Sequence, residues 1–256
     1  VEELAYMIRK SDKVFLLCGG GVLLSGATDE VYRLAEMIQS PVGCTLMGVG
    51  SFPGTHPNFT GMIGMHGTRA TNVAVSESDL FIALGSRFND RVTGDVNKFC
   101  KTSKSVESDI DAAEINKNVR TAHHIVGDVK TVLTRLLQIL ETSPIDMTER
   151  KQWLGAIQTL KLPVKAARHA GFSPKAILTE VQNHLPKDAI IVTDVGQHQM
   201  WAARYYSYDV PGTFITSGGF GTMGYGAGAA MGAAMAKQDR KVVLITGDGC
   251  FRMNSN

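Results

Sequence analysis

The sequence has 256 residues, 44% of them apolar, and a formal charge of +2. That length and apolar content can bury a sizeable core in one or two domains. The near-neutral balance comes without a basic run, an aromatic stacking motif or a zinc-finger spacing, which argues against a nucleic-acid partner, and no apolar run approaches a membrane span.

Four cysteines, Cys18, Cys44, Cys100 and Cys250, lie far apart with no Cys-x-x-Cys pair. This spacing favours neither a structural zinc nor a disulfide framework and fits a reducing compartment. The chain opens at Val1 inside a helical pattern, without a methionine or signal peptide, and stops at Asn256, so both ends read as cut.

After a short helix around Leu4 and Ile8, Val14–Cys18 reads as a buried strand that runs into Gly19-Gly20-Gly21. A helix with Val31, Leu34, Ala35 and Ile38 at helical spacing follows. Strand, glycine turn and helix open a doubly wound unit. The turn fails the dinucleotide fingerprint, because Leu24 occupies the third glycine position, and it fails the P-loop, because Ala27 replaces the lysine. A nucleotide triphosphatase is therefore disfavoured.

The alternation continues with a strand at 41–45, a loop rich in Gly, Pro and Met at 46–65, a helix at 68–76 and a strand at 80–84. Further strands are expected at 105–110 and 124–126, and an amphipathic helix at 129–140 closes a first domain, residues 1–141. Residues 142–172 read as a connector, apart from a helical stretch at 153–160. Ser173-Pro174 then starts a helix, with serine as its cap. Residues 173–256 begin a second α/β domain, with a strand at 189–193 ending in Asp194 and Gly196 and another at 242–245 ending in Gly247-Asp248-Gly249. The fold expected is α/β, a doubly wound, mostly parallel sheet followed by an incomplete second α/β domain.

An aspartate between glycines at a strand's carboxyl end is well placed to hold a cation that bridges to phosphate oxygens, and magnesium is the natural ion. Gly-Asp-Gly alone is a turn more often than a metal site. The preceding run, Gly218-Gly-Phe-Gly-Thr-Met-Gly-Tyr-Gly226, shifts the reading, because it opens glycine-rich and continues into a small-residue helix.

These two runs together resemble the diphosphate-binding domain of thiamine-diphosphate enzymes. Val195-Gly-Gln-His-Gln-Met-Trp201 points within them to the acetohydroxyacid (acetolactate) synthases. The similarity covers essentially the whole chain, but only the family's middle domain, of the DHS-like nucleotide-binding type, and the start of its third. It implies thiamine diphosphate, Mg2+ and FAD as cofactors and 2-oxo acids as substrates, two of which are joined with loss of carbon dioxide in branched-chain amino acid biosynthesis. A homo-oligomer, dimer or tetramer, and a regulatory subunit are implied as partners. A bacterial cytoplasm fits, as does a plastid or mitochondrion.

Carried over by position, the flavin contacts are Gly19, Gly20, Thr45, Leu46, Met47, Gly64, Met65, His66, Gly85, Ser86, Arg87, Arg91, Asp109, Ile110, Asp111 and Asp128. Arg87-Phe-Asn-Asp-Arg91 marks the flavin-using synthases. Two arginines at this spacing suit a diphosphate better than they read as solvated charges, and His66 reads as a site residue rather than a turn histidine. Met47, Met62 and Met65, clustered in a glycine-rich loop, read as the lining of an apolar channel rather than as gap fillers, and the resemblance implies that this channel is the passage to the thiazolium. In the second domain Gln197 and His198 match positions near the cofactor diphosphate, and Met223 matches the residue whose backbone meets the aminopyrimidine ring. Asp248 matches a magnesium ligand, while the backbone N–H groups of Gly249 and Cys250 face phosphate oxygens. No catalytic residue falls inside the chain, since the family's activating glutamate belongs to its amino-terminal domain and a second magnesium ligand lies beyond Asp248.

The sequence departs from the family at Asn89 for aspartate, at Ser105-Val-Glu-Ser108 for an apolar strand with a histidine, at Ala227-Gly228 for leucine-proline and at Cys250 for a hydroxyl residue. The second departure is expected to weaken the adenine end of the flavin site. The isolated chain is expected to be inactive or nearly so. Alternatives are another thiamine-diphosphate decarboxylase, oxidase or carboligase, such as glyoxylate carboligase or pyruvate oxidase, and a nucleotide-binding module without catalysis.

Overall fold

The computed structural model describes residues 1–161 and 172–254. The chain divides into two compact units, one holding Val1–Phe52 and residues 56–161, the other Pro53–Thr55 and residues 172–254.

In the first unit the elements run α1 (Glu2–Arg9), β1 (Val14–Cys18), α2 (Gly20–Leu24), α3 (Thr28–Ile38), β2 (Val42–Cys44), β3 (Phe59–Met62), α4 (Arg69–Glu77), β4 (Leu80–Leu84), α5 (Asp90–Thr93), β5 (Lys104–Asp109), β6 (His123–Val126), α6 (Val129–Leu140) and α7 (Thr148–Thr159). The strands form one sheet in the order β3-β2-β1-β4-β5-β6, and every pairing is parallel. The centre is β1 and β4, whose residues are all buried, as near-continuous apolar strands covered on both faces must be.

One face carries a cluster of Phe15 and Leu17 from β1, Phe81 and Ala83 from β4, Ala70 and Ala74 from α4, and Trp153 and Ile157 from α7. The rings of Phe15 and Phe81 stack 5.9 Å apart across the strands. The other face is covered by α1, α3 and α6. In α6 the residues Val129, Val132, Leu133, Leu136, Leu137 and Leu140 turn inward, and each fully buried side chain contributes about 1.5–3 kcal/mol. Asp128 starts this helix by accepting from the Thr131 amide at 2.9 Å.

Two features differ from the sequence expectation. The stretch 46–65, read as loop, contains the edge strand β3, whose pattern Phe-Thr-Gly-Met lacks an apolar run. Its pairing rests on backbone geometry and on Thr60 Oγ1, which donates to Val42 O at 3.0 Å. The helical stretch expected at 153–160 within the connector 142–172 is α7, but it begins earlier, at Thr148, and its Arg150, Trp153, Leu154 and Ile157 are buried in the first unit. Residues 162–171 of the connector lie outside the described residues.

In the second unit α8 (Pro174–Asn183), β7 (Ile190–Thr193), α9 (Gln197–Tyr205), β8 (Phe214–Thr216), α10 (Tyr225–Ala236), β9 (Val242–Ile245) and α11 (Asp248–Met253) follow in order. Ser173 caps α8 with its side-chain oxygen 3.2 Å from the Ala176 amide, as the sequence leads one to expect. The sheet is β8-β7-β9, again all parallel. Of the glycines in α10 only Gly226 lies close to a neighbour, since a Cβ there would sit 2.8 Å from Leu244, whereas Gly228 and Gly232 face open space.

Candidate functional site

In open parallel sheets ligands bind outside the carboxyl ends of the strands, where the direction of the connections reverses. The first sheet reverses between β1 and β4. Gly19 follows β1 and donates its amide to Leu84 O at 2.8 Å, and Gly21 donates to Gly85 O at 3.1 Å. The two loops touch backbone to backbone, because a Cβ on Gly19 would lie 2.0 Å from Gly85 O. Gly85 has a φ of +59°, a left-handed backbone that glycine adopts without strain.

All the residues expected to meet the flavin lie on the carboxyl edge of this sheet or on the loops leaving it. Gly19, Gly20, Gly85 and Ser86 gather at the reversal, and Arg87 is exposed beside them. Thr45 caps a single 3-10 turn, Leu46–Gly48, after β2, which leaves Met47 43% exposed next to Gly20. After β3, Gly64 is tied to Asn72 through its amide and its carbonyl, and the Met65 amide donates to Arg91 O at 3.0 Å. The Gly64-Met65-His66 loop and the Arg91 segment are therefore one structural unit. Asn89 keeps an acceptor role, with Oδ1 3.1 Å from the Val92 amide. Among the described residues no carboxylate pairs with Arg87 or Arg91, so both are available to an anion.

Asp109, Ile110 and Asp111 follow β5, and Asp128 follows β6, the latter three strand spacings or roughly 14 Å along the edge from β1. Asp109 Oδ1 is engaged by the Asp111 amide at 3.0 Å, while Ile110 is exposed. The departing residues Ser105 to Ser108 are all buried inside the sheet. Glu107 accepts from the Asn116 amide through Oε2, and its Oε1 has no partner. Burial, joined by the charges of Asp109 and Glu114, pushes this carboxyl above the usual range against the Asn116 hydrogen bond.

The second sheet, in order β8-β7-β9, reverses its connections between β7 and β9. Their carboxyl ends carry Asp194-Val195-Gly196 and Thr246-Gly247-Asp248. Gln197 and His198 open α9 just after the first. The His198 ring lies against both ends, because Cβ atoms built on Gly196 and Gly247 would come within 3.1 and 3.4 Å of it. His198 Nε2 is buried with no hydrogen-bond partner, a polar atom left waiting in the crevice. Burial lowers its pKa, and the charge of Asp194 opposes the shift.

Gly247 precedes α11, so Asp248 is the first residue of that helix and is exposed, as is Gly249. Cys250 turns inward and donates its thiol to Val195 O at 3.2 Å, binding the two strand ends together. Met223 is half exposed on the turn before α10. Among the described residues no three metal-ligating side chains gather, so Asp248 offers a cation one carboxylate, and phosphate oxygens and water would complete the shell.

Residues 1–136 match the family model described as the thiamine pyrophosphate enzyme, central domain, and residues 194–256 match its C-terminal TPP binding domain. The chain belongs to the thiamine pyrophosphate enzyme family. It is 46% identical to the probable acetolactate synthase large subunit of Methanocaldococcus jannaschii over its full length, covering 44% of that relative. It is 41% identical to the probable acetolactate synthase large subunit of Methanococcus aeolicus, covering 45% of it, and 42% identical to the acetolactate synthase of Mycobacterium leprae, covering 42% of it. The chain thus spans less than half the length of these curated relatives. Among the described residues no helix is long and apolar enough to cross a membrane.

Sequence reasoning passed over Asp194 as a site residue. The signal available was an acid directly after an apolar strand, two residues before a glycine. Asn254 donates through Nδ2 to Gly224 O at 2.7 Å.

Proposed function

We propose that this chain supplies the flavin-carrying unit and part of the diphosphate-binding unit of an acetolactate synthase large subunit, which condenses two 2-oxo acids with decarboxylation. The observation that carries the reading is the pair of strand-end crevices, one per unit, that coincide with the two family matches. In the second unit His198, with its orphaned Nε2, and the Gly249 and Cys250 amides would hold diphosphate oxygens, and Asp248 would hold Mg2+. The Met223 backbone would receive the ring. When bound, thiamine diphosphate supplies the electron sink that decarboxylation of a 2-oxo acid requires. The residues of this chain bind and orient it. A regulatory small subunit and assembly with further copies of the large subunit belong to the same reading.

In the first unit the glycine loops would admit the FAD diphosphate at the β1–β4 reversal, with Arg87 and Arg91 neutralising it. Met47 and Met65, both exposed there, would line the apolar passage. A titration of the chain with FAD, followed by flavin fluorescence, tests this half. Saturable binding is expected, weakened by about tenfold in Arg91→Ala, the equivalent of one lost charge-assisted hydrogen bond. A folded chain that ignores FAD would point to a flavin-free carboligase of the same family.

A further inference from the structure

At the amino edge of the first sheet lies a cavity of about 770 Å³ for which the proposed function has no use. The five-residue strands β1 and β4 set it about 17 Å from the loops at the carboxyl edge. One wall is the start of the chain. Glu3, Tyr6 and Lys10 recur at intervals of three and four residues, so they share the face of α1 that lines the cavity. Glu3 and Lys10 are seven residues, or about 10 Å, apart along the helix axis. The Tyr6 ring is 56% exposed between them, with Lys10 Nζ 6.0 Å from its centroid.

The other wall is made by the strand starts, where Asp79 precedes β4, Lys104 opens β5 and His123 opens β6. Lys104 donates its amide to Asp79 O at 2.9 Å, and Asp79 Oδ2 accepts from the Asp12 amide at 2.8 Å, two residues beyond Lys10. Lys104 therefore shares the Lys10 end. At the opposite end Glu3 is close enough to His123 for its charge to act on the ring.

The charged groups differ in what they can still bind. The Asp79 carboxylate is spent, because its Oδ1 also accepts from the Lys13 amide at 3.0 Å and its charge acts on Arg150. Among the described residues Lys10 and Lys104 are exposed and have no carboxylate partner, and Glu3 has no ion pair. His123 Nε2 is buried with no hydrogen-bond partner. Burial first, then the charge of the amino terminus, lowers the His123 pKa, with Glu3 opposing and His124 adding to the shift. The ring is therefore neutral at neutral pH. Two unpaired ammonium groups call for an anion, whereas a free carboxylate beside a neutral imidazole calls for a hydrogen-bond donor.

We propose that this cavity is a binding site for a small organic anion about 10 Å long, its phosphate or carboxylate held by Lys10 and Lys104 and its hydroxyl or amino groups received by Glu3 and His123. The exposed Tyr6 ring supports the body of the ligand between these ends. The site is independent of the flavin and diphosphate crevices, and its occupancy does not require either.

Nuclear magnetic resonance of the chain at fixed ionic strength tests this, read at the Ala122 amide and the His123 ring, which report the amino edge alone. Ribose 5-phosphate and gluconate carry hydroxyl groups behind a phosphate and a carboxylate, and inorganic phosphate carries the anion only. Saturable shifts are expected with at least one of the two long probes, which also decides between phosphate and carboxylate. The long probe should bind more tightly than inorganic phosphate. Replacing both lysines, Lys10→Gln with Lys104→Gln, should weaken it by at least about tenfold, as for lost charge-assisted hydrogen bonds. Glu3→Gln should weaken the long probe by about fivefold and leave inorganic phosphate no weaker. Equal affinity for the long probes and inorganic phosphate would mean an adventitious ion only and overturn the proposal. So would shifts that do not saturate, or that survive unchanged in the lysine and Glu3 variants.

Discussion

Gly19→Ala is expected to cost the first unit about 3–5 kcal/mol, a large part of what a domain of this size has to lose. The new methyl would lie 2.0 Å from Gly85 O, 2.6 Å from Gly85 C and 2.8 Å from Ser86 Cα. All three are backbone atoms of the strand-end loop after β4, so no side chain can swing aside. The loops must part instead, which breaks the Gly19 amide bond to Leu84 O and the Gly21 amide bond to Gly85 O. Overpacking costs about 1–3 kcal/mol and each lost hydrogen bond about 1 kcal/mol. Gly26→Ala is the control, since its φ of +63° carries backbone strain but open space surrounds it, and its cost should stay near 1 kcal/mol. Urea unfolding followed by circular dichroism compares the two, and a Gly19→Ala midpoint within error of wild type would contradict the close approach.

Arg150→Met should be nearly as damaging, by about 3–5 kcal/mol, although it replaces a charge with an apolar side chain of similar length. Arg150 is 2% exposed on α7 and donates to the Ile8 carbonyl, to Ser11 O at 2.7 Å and to Ile38 O at 3.2 Å. Ile8 and Ile38 belong to the last turns of α1 and α3, whose carbonyls have no partner within the helix and carry the negative end of the dipole. One guanidinium therefore caps two helices from a third. Burial lowers its pKa, opposed by the charges of Asp12 and Asp79. Methionine would fill the space but leave the Ile38 and Ser11 carbonyls without a partner and Ile8 O with only the Ser11 amide at 3.3 Å, at about 1–3 kcal/mol for each unsatisfied group before relaxation. By contrast Arg33→Met, which breaks an exposed ion pair with Glu141 at 3.0 Å, should change stability by less than about 1 kcal/mol. Equal unfolding midpoints for the two variants would remove the capping account.

The same two residues show what can be read in a sequence and what cannot. Gly19 announces itself, because three glycines after a run of buried-strand residues have few explanations, and the structure places them at the reversal of the sheet. The β4, β7 and β9 ends were legible for the same reason, an apolar run broken by glycine and an acid or base. Arg150 gives no such sign. A charged residue in a helix of mixed pattern reads as solvated, and only the packing of α7 against the first unit turns it inward. The edge strand β3 was hidden because Thr60 and Gly61 interrupt its apolar character, and its partner β2 supplies the order that its own sequence lacks. Asp194 lay in plain view, but its three amide partners come from residues 195, 224 and 226, and a contact across some thirty residues has no local signature.

On the proposed function, the β7–β9 crevice takes a diphosphate through a cation held by Asp248. Its most direct test is a calorimetric titration of the chain with thiamine diphosphate, with and without Mg2+, repeated with Asp248→Ala. Asp248 is exposed and makes no side-chain hydrogen bond among the described residues, so the variant should fold as the wild type does. Saturable, magnesium-dependent binding by the wild-type chain is expected, weakened by at least about tenfold in Asp248→Ala through the loss of a carboxylate ligand. Binding that is indifferent to both magnesium and Asp248 would contradict it.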